Sequence, residues 1–181
     1  MSDRPWEKIP GWFTASSKHI YDTVVNEAPQ SAHFVELGTW YGRSSYYLNL
    51  IVKASGKNIK IDHVDWFKGS VEHENYDIPN PGDFRKNLSS FKGNYTLHIT
   101  DTITASSYYE DESLDFVFVD ASHEYEDVLK DIKAWYPKIK KGGIIAGDDY
   151  TWEGVKKAVD EYFKDKVEII NIDFLNWLVK K

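Results

Sequence analysis

Five acidic side chains and one histidine stand where this 181-residue sequence could do chemistry: Glu36, Asp65, Asp120, the adjacent Asp148 and Asp149, and His123. Each acid ends a run with strand character: Phe34-Val35 before Glu36, Ile61-Asp62-His63-Val64 before Asp65, Phe116 to Val119 before Asp120, Ile144-Ile145-Ala146 before Gly147-Asp148-Asp149. Ligands of open α/β sheets bind beyond the carboxyl ends of the strands, so these acids would face one site. Carboxylates gathered there repel one another unless they hold a cation, hydroxyl donors, or both. The alternative is that each acid caps the helix after it. That reading serves any one position and serves all four strand ends together poorly. His123, three residues past Asp120, is read as one turn into the following helix. It is either a general base, since imidazole titrates near neutral pH, or a structural hydrogen-bonding residue.

The elements that must position these groups centre on Phe34-Val35-Glu36-Leu37-Gly38-Thr39-Trp40-Tyr41-Gly42-Arg43-Ser44. It reads as a buried strand, a glycine turn, and a helix carrying Tyr46, Tyr47, Leu48 and Ile51. The spacing E-x-G-x-x-x-G-x-S is not the G-x-G-x-x-G of dinucleotide sites, and Trp40 and Tyr41 occupy places where a pyrophosphate needs bare backbone. Glu36 suits an amine-bearing or cationic ligand better.

Around that turn, residues from about 14 to 28 give a helix stopped by Pro29. Residues 59–65, 95–100, 115–120 and 144–146 read as strands, the last entered through Gly142-Gly143. Residues 103–109 and the stretch from Ser122, a natural N-cap, to Pro137 read as helices, as does the segment from about Trp152. Residues 167–172 and 174–179 read as a closing antiparallel pair. An irregular N-terminal arm (1–13) precedes the core. The stretch 66–94, rich in Gly and Pro, reads as a lid-like insert holding one short helix near 84–91. His73 within it is a candidate substrate contact.

One domain over 1–181 is the simplest organisation. No run of ~18 apolar residues predicts a membrane span, and the first residues lack a signal-peptide pattern. With no cysteine, disulfides and thiolate metal sites are excluded, and a cytoplasmic location is the default expectation. The net charge of −7 argues against nucleic acid as a partner.

Across residues 34–150 the chain resembles the class I S-adenosylmethionine-dependent methyltransferases. The features are E-x-G-x-x-x-G-x-S, an acid ending strand two, D-x-x-H-x-Y-x-x-V from Asp120 to Val128, and G-G-x-x-x-G-D-D-Y from Gly142 to Tyr150. It looks like the small bacterial and phage group with D-x-x-H-x-Y. It is also similar to the macrocin-type and cephalosporin-type metal-dependent O-methyltransferases. The resemblance implies an α/β, Rossmann-like, doubly wound seven-stranded sheet of order 3-2-1-4-5-7-6, with the last strand antiparallel. It implies that Glu36, Gly38, Thr39, Trp40, Tyr41, Gly42, Ser44, Asp65, Trp66, Asp101 and Asp120 contact S-adenosylmethionine. Asp65 would take the ribose hydroxyls. Asp101 would meet the adenine amino group or merely cap the next helix. It further implies that Asp120, Asp148 and Asp149, an all-oxygen set suited to a hard cation, hold Mg²⁺. Asp120 and His123 would be catalytic.

The function expected is therefore metal-assisted O-methylation of a small hydroxylated acceptor, a sugar or a phenolic compound. An NAD(P)-dependent Rossmann-like oxidoreductase and a non-catalytic binding module are the alternatives. The partner expected is a small molecule, not nucleic acid or membrane. Oligomeric state is left open, with a homodimer among the options.

Overall fold

The computed structural model describes residues 4–181. Seven strands form one sheet: β1 (Ser31–Leu37), β2 (Asn58–Asp65), β3 (Thr96–Ile99), β4 (Leu114–Val119), β5 (Ile139–Gly147), β6 (Glu168–Asn171) and β7 (Leu175–Lys180). Their order is β3-β2-β1-β4-β5-β7-β6. All pairings are parallel except those of β7, which runs antiparallel to both β5 and β6. This is the Rossmann-like order expected from the sequence. It places the tips of β1 and β4 side by side, flanked by β2 and β5.

The central strands are apolar because both faces are covered. Phe34, Phe116 and Phe118 pack under α1 (Ala15–Glu27) and α2 (Arg43–Ser55). The alternate residues Val35, Leu37, Val117 and Val119 pack under α4 (Thr102–Ser106), α5 (Tyr125–Trp135) and α6 (Glu153–Phe163). A smaller cluster of Phe84, Leu88 and Phe91 seats α3 (Pro81–Asn87) and the turn after it against Tyr46 and Leu50 of α2. No helix among the described residues is long and apolar enough to cross a membrane.

Four local expectations are corrected. β5 begins at Ile139, so Gly142 and Gly143 lie inside the strand, where its register with β4 shifts between Leu114 and Phe116. A Cβ on Gly143 would stand 2.9 Å from the Asp115 carbonyl oxygen, which explains a glycine at that close approach. The N-cap position of α5 is Glu124, whose side chain makes no capping hydrogen bond, and not Ser122; the Ser122 hydroxyl accepts from the Glu124 amide at 3.3 Å, short of the helix. His123 therefore lies in the loop before α5. The arm is not irregular throughout: Pro5–Lys8 forms a 3-10 turn, with Trp6 edge-on to Tyr47 at 5.0 Å. The second half of the 66–94 insert is core-packed, with Phe84 and Leu88 fully buried. Only its first half, to about residue 80, borders the open cavity.

Candidate active site

The turn after β1 is shaped by crowding. Gly38 has φ 79°, and a Cβ there would stand 1.8 Å from the carbonyl oxygen of Asp120. Only glycine lets the β1 and β4 tips approach this closely. Gly42 opens α2 at φ 87°, and a Cβ there would meet Leu88 Cδ1 at 2.6 Å and the Phe84 ring at 2.9 Å. Gly42 thus serves packing with the insert and does not line the cavity.

Glu36 is also placed otherwise than expected. It is 1 % exposed, under the turn, and accepts from Tyr21 Oη at 2.7 Å and from Ser45 Oγ, with His63 Nδ1 2.7 Å away. Burial alone would raise its pKa; the His63 and Ser45 contacts outweigh that and hold it low. With its oxygens so engaged, Glu36 anchors the turn from below and does not border the cavity. Tyr41 likewise points away, its hydroxyl donating to the Asp77 carbonyl at 3.2 Å.

Asp65 reaches back across the sheet to the same turn. Its Oδ2 accepts from Thr39 N (2.8 Å), Thr39 Oγ1 (3.0 Å) and Trp40 N (3.0 Å), while Oδ1 accepts from Phe67 N (2.7 Å). One oxygen is therefore saturated, and the other retains acceptor capacity. Asp101 does cap α4, accepting from Thr104 N at 2.8 Å, and it also borders the cavity.

The cavity, about 940 Å³, lies over the strand tips. Gly38, Thr39, Trp40, Ser44, Asp65, Trp66, Asp101, Asp120, His123, Asp148 and Asp149 all border it; Glu36, Tyr41 and Gly42 do not. Its size lies near the top of the ~300–1,000 Å³ range of small-molecule pockets, enough for a cofactor and an acceptor together. Over the glycine turn, Trp12 of the arm meets Trp40 (ring centroids 5.8 Å apart) and Tyr76 of the insert (5.3 Å), and His73 stacks near Trp40 at 4.4 Å. Three non-glycine residues on its wall have left-handed backbone: Trp40 (φ 50°), Phe67 (φ 55°) and Asp149 (φ 57°). Each follows the end of a different strand. Such conformations persist where the surroundings over-determine them, and they concentrate at functional sites.

At the β4 and β5 tips the acids part company. Asp120, His123 and Asp149 bring one ligand atom each to within 4.8 Å of the others, and His123 Nε2 lies 2.8 Å from Asp149 Oδ2. Asp148 is not in this group. Its Oδ2 accepts from Ser17 Oγ (2.7 Å) and its Oδ1 from Asp149 N (2.8 Å), while Asn176 Nδ2 holds Ser17 Oγ at 3.0 Å. The side chains that lie together here are thus two aspartates and a histidine, with Asp148 of the expected set turned aside. The reason is the hydroxyl of Ser17, which turns the first acid of the pair toward α1.

Burial pushes the Asp120 carboxyl well above the usual carboxylate range, and the charges of Asp148 and Asp149 add to it against the nearby His123. Asp148 is pushed up to about 6, by burial first and the Asp149 charge, against its Ser17 hydrogen bond.

Several site residues carry no pattern in the sequence. Asp131 on α5, 3 % exposed, borders the cavity and accepts from Thr102 Oγ1; burial pushes it up to about 7, despite that bond. Its only signal was an acid on the apolar face of a helix. Arg43 borders the cavity and donates to the Gly11 carbonyl at 2.6 Å, tying arm to turn. Trp152 stacks on His123 at 4.6 Å and 23°.

A seven-stranded sheet of this order, with a glycine turn at the β1 tip and acids ending β2, β4 and β5, is the architecture of class I methyltransferases. The chain belongs to the family described as a methyltransferase domain, whose profile matches residues 35–150. Its curated relative, the uncharacterized protein R132 of Acanthamoeba polyphaga mimivirus, is 27% identical over 145 residues. That match covers 73% of this chain and 58% of the relative, so the chain spans less than two thirds of the relative's length. Among solved structures, the O-methyltransferase NovP superposes with a TM-score of 0.72 at 19% identity, covering 91% of this chain and 78% of NovP. The TDP-rhamnose 3'-O-methyltransferase CalS11 of calicheamicin biosynthesis gives 0.68 at 16%, covering 91% and 77%. SMU.1697c of Streptococcus mutans, solved in complex with SAH, gives 0.68 at 14%, covering 94% and 99%. At these identities the likeness is one of fold.

Proposed function

We propose that this protein methylates a hydroxyl group of a small acceptor, using S-adenosylmethionine and a divalent cation. The observation that carries the reading is one cavity with two chemically distinct ends. Thr39, Asp65 and Asp101 border it beyond β1, β2 and β3; Asp120, His123, Asp148 and Asp149 border it beyond β4 and β5, with Gly38 between the two groups.

The residues fit the cofactor. Asp65 keeps acceptor capacity for a ribose hydroxyl on Oδ1, Asp101 offers a carboxylate to an amino group, and Gly38 keeps the turn bare of side chain. S-adenosylmethionine would supply an electrophilic methyl group, which passes to the acceptor oxygen as the carbon–sulfur bond breaks. The residues also fit a cation: Asp120 is buried beside the charges of Asp148 and Asp149, which hold its pKa up, and a bound cation would offset that repulsion. A bound cation would lower the pKa of the acceptor hydroxyl. The chain's own part is alignment, exclusion of water by the aromatic cover, and uptake of the hydroxyl proton at the Asp120–His123–Asp149 cluster. The NovP and CalS11 likeness supports O-methylation, and the aromatic rings near the carboxylates suit a sugar or phenolic acceptor.

Calorimetry with SAH and with NAD on the purified chain tests the core of this reading. Binding of SAH and none of NAD is expected. Tight NAD binding with no response to SAH would replace it with the oxidoreductase alternative.

A further inference from the structure

The cation site predicted from the sequence consists of three carboxylates, and such a set suits Mg²⁺, which prefers oxygen ligands and gives up its water reluctantly. The folded chain assembles a different set. His123 Nε2 and Asp149 Oδ2 are 2.8 Å apart, and Asp120 completes a group whose ligand atoms all lie within 4.8 Å. Neighbouring ligands on an ion at ~2.0–2.2 Å would stand about 3 Å apart and opposite ones about 4.3 Å, so small rotations close this set on one ion.

The third acid is held out of it. Asp148 has both oxygens engaged, by Ser17 and by the Asp149 amide. Ser17 and Asn176, which secure it, are 1 % and 0 % exposed. Rotating Asp148 inward would give up both its contact with the Ser17 hydroxyl and its contact with the Asp149 amide.

The imidazole is just as firmly placed. Its ring lies flat on Trp152, and the backbone behind it abuts α6 so closely that a Cβ on Gly154 would stand 2.3 Å from the His123 carbonyl oxygen. Glycine at 154 therefore lets the α6 amino end press the 123–125 loop toward Asp149. Behind the set, a chamber of about 10 Å³, near the size of a single water, is bordered by Asp120, His123, Asp148 and Trp177. The Trp177 indole N–H is buried there with no acceptor among the described residues. It is a donor available to a water in contact with the set, the kind of outer contact that fixes metal ligands.

We propose that Asp120, His123 and Asp149 form a mixed oxygen–nitrogen site for a divalent ion of the iron-to-zinc type, with His123 a ligand and Asp148 outside it. This rests on the reading that the cluster holds a cation at all. Imidazole favours these ions over Mg²⁺, and their affinities rise along the first row toward copper. As a ligand His123 is not free to act as the base.

The test uses the full chain, stripped with chelator, and titrated with Co²⁺ and with Mg²⁺ by calorimetry and by tryptophan fluorescence. Co²⁺ should bind at one site at least tenfold tighter than Mg²⁺ and quench emission, because Trp152 stacks on a ligand. His123→Gln should weaken Co²⁺ by tenfold or more while changing Mg²⁺ less than threefold. Asp148→Asn should leave Co²⁺ binding within threefold, and melting curves check that both variants fold. Equal affinity for the two ions, indifference to His123→Gln, or loss of Co²⁺ in Asp148→Asn would each overturn the proposal. SAH binding measured separately keeps the two readings apart: SAH bound with no ion bound sinks the metal site alone, and the converse sinks the methyltransferase assignment of the cavity.

Discussion

The carboxylate of Asp65, at the end of β2, stands 2.8 Å from the backbone nitrogen of Thr39 in the turn after β1. An acid expected to serve a ligand thus also fastens the loop that would cradle it. Removing it in Asp65→Ala strands four donors, on Thr39, Trp40 and Phe67. Hydrogen bonds to a charged group are worth ~1.5–3 kcal/mol each and do not add in full. We expect a loss of at least ~3 kcal/mol, or roughly 6–12 °C in Tm for a domain of this size, together with weaker SAH binding. A variant that melts like the parent while losing SAH would limit Asp65 to ligand binding.

Gly42 and Gly56 offer a controlled comparison. Both have left-handed backbone, φ 87° and 67°, but a Cβ at Gly56 meets nothing within 4 Å. Gly56→Ala should cost only the conformational penalty, ~1–2 kcal/mol. Gly42→Ala must in addition displace Leu88 and Phe84 and should cost at least ~1 kcal/mol more. Urea unfolding of the two variants decides this, and equal losses would show that the insert yields freely.

Asp131 gives stability a distinctive pH dependence. Its folded pKa is raised from 3.8 to about 7, so the folded chain holds a proton that the unfolded chain releases. This contribution is greatest below about pH 4 and is lost as pH rises to about 7, at ~1.4 kcal/mol per pH unit and at most ~4 kcal/mol in all. Asp131→Asn keeps an acceptor for Thr102 and should flatten the fall in unfolding free energy over that window. An unchanged slope would place the titration on Asp148 and Asp120 alone.

Trp12 is 58 % exposed, yet its ring bridges Trp40 of the turn and Tyr76 of the insert. Trp12→Ala should leave Tm within ~2 °C, as for surface changes generally, and should speed SAH release several-fold in stopped-flow measurements. Unaltered release with intact folding would make the aromatic cover a fixed wall.

The strands and the acids at their ends were legible in the sequence because period, glycine placement and strand-end chemistry are local signals; the sheet order came only from the resemblance to class I methyltransferases. What was not legible depends on contacts distant in the chain. Ser17 on α1 turns Asp148 aside from 131 positions away. Tyr21, Ser45 and His63 enclose Glu36 from three separate elements. Phe84 and Leu88 explain Gly42 only once α3 lies against α2. Asp131 gave only a weak signal for the same reason: an acid on a helix reads as solvent-facing until the neighbouring helix closes over it. His123 was named as a candidate, but its partner, Asp149, became visible only when the β4 and β5 loops met.

The left-handed backbone at Asp149 has a consequence for any lineage or screen that rewards heat tolerance alone. Glycine there would relieve roughly 1–2 kcal/mol, a sizeable gain against a net stability of ~5–15 kcal/mol. The sheet would persist, yet His123 would lose its carboxylate neighbour. Thermal robustness and chemistry therefore pull this single position in opposite directions. Under the proposed role of Asp149 at the cation site, an aspartate retained there through selection for heat tolerance is the expected outcome.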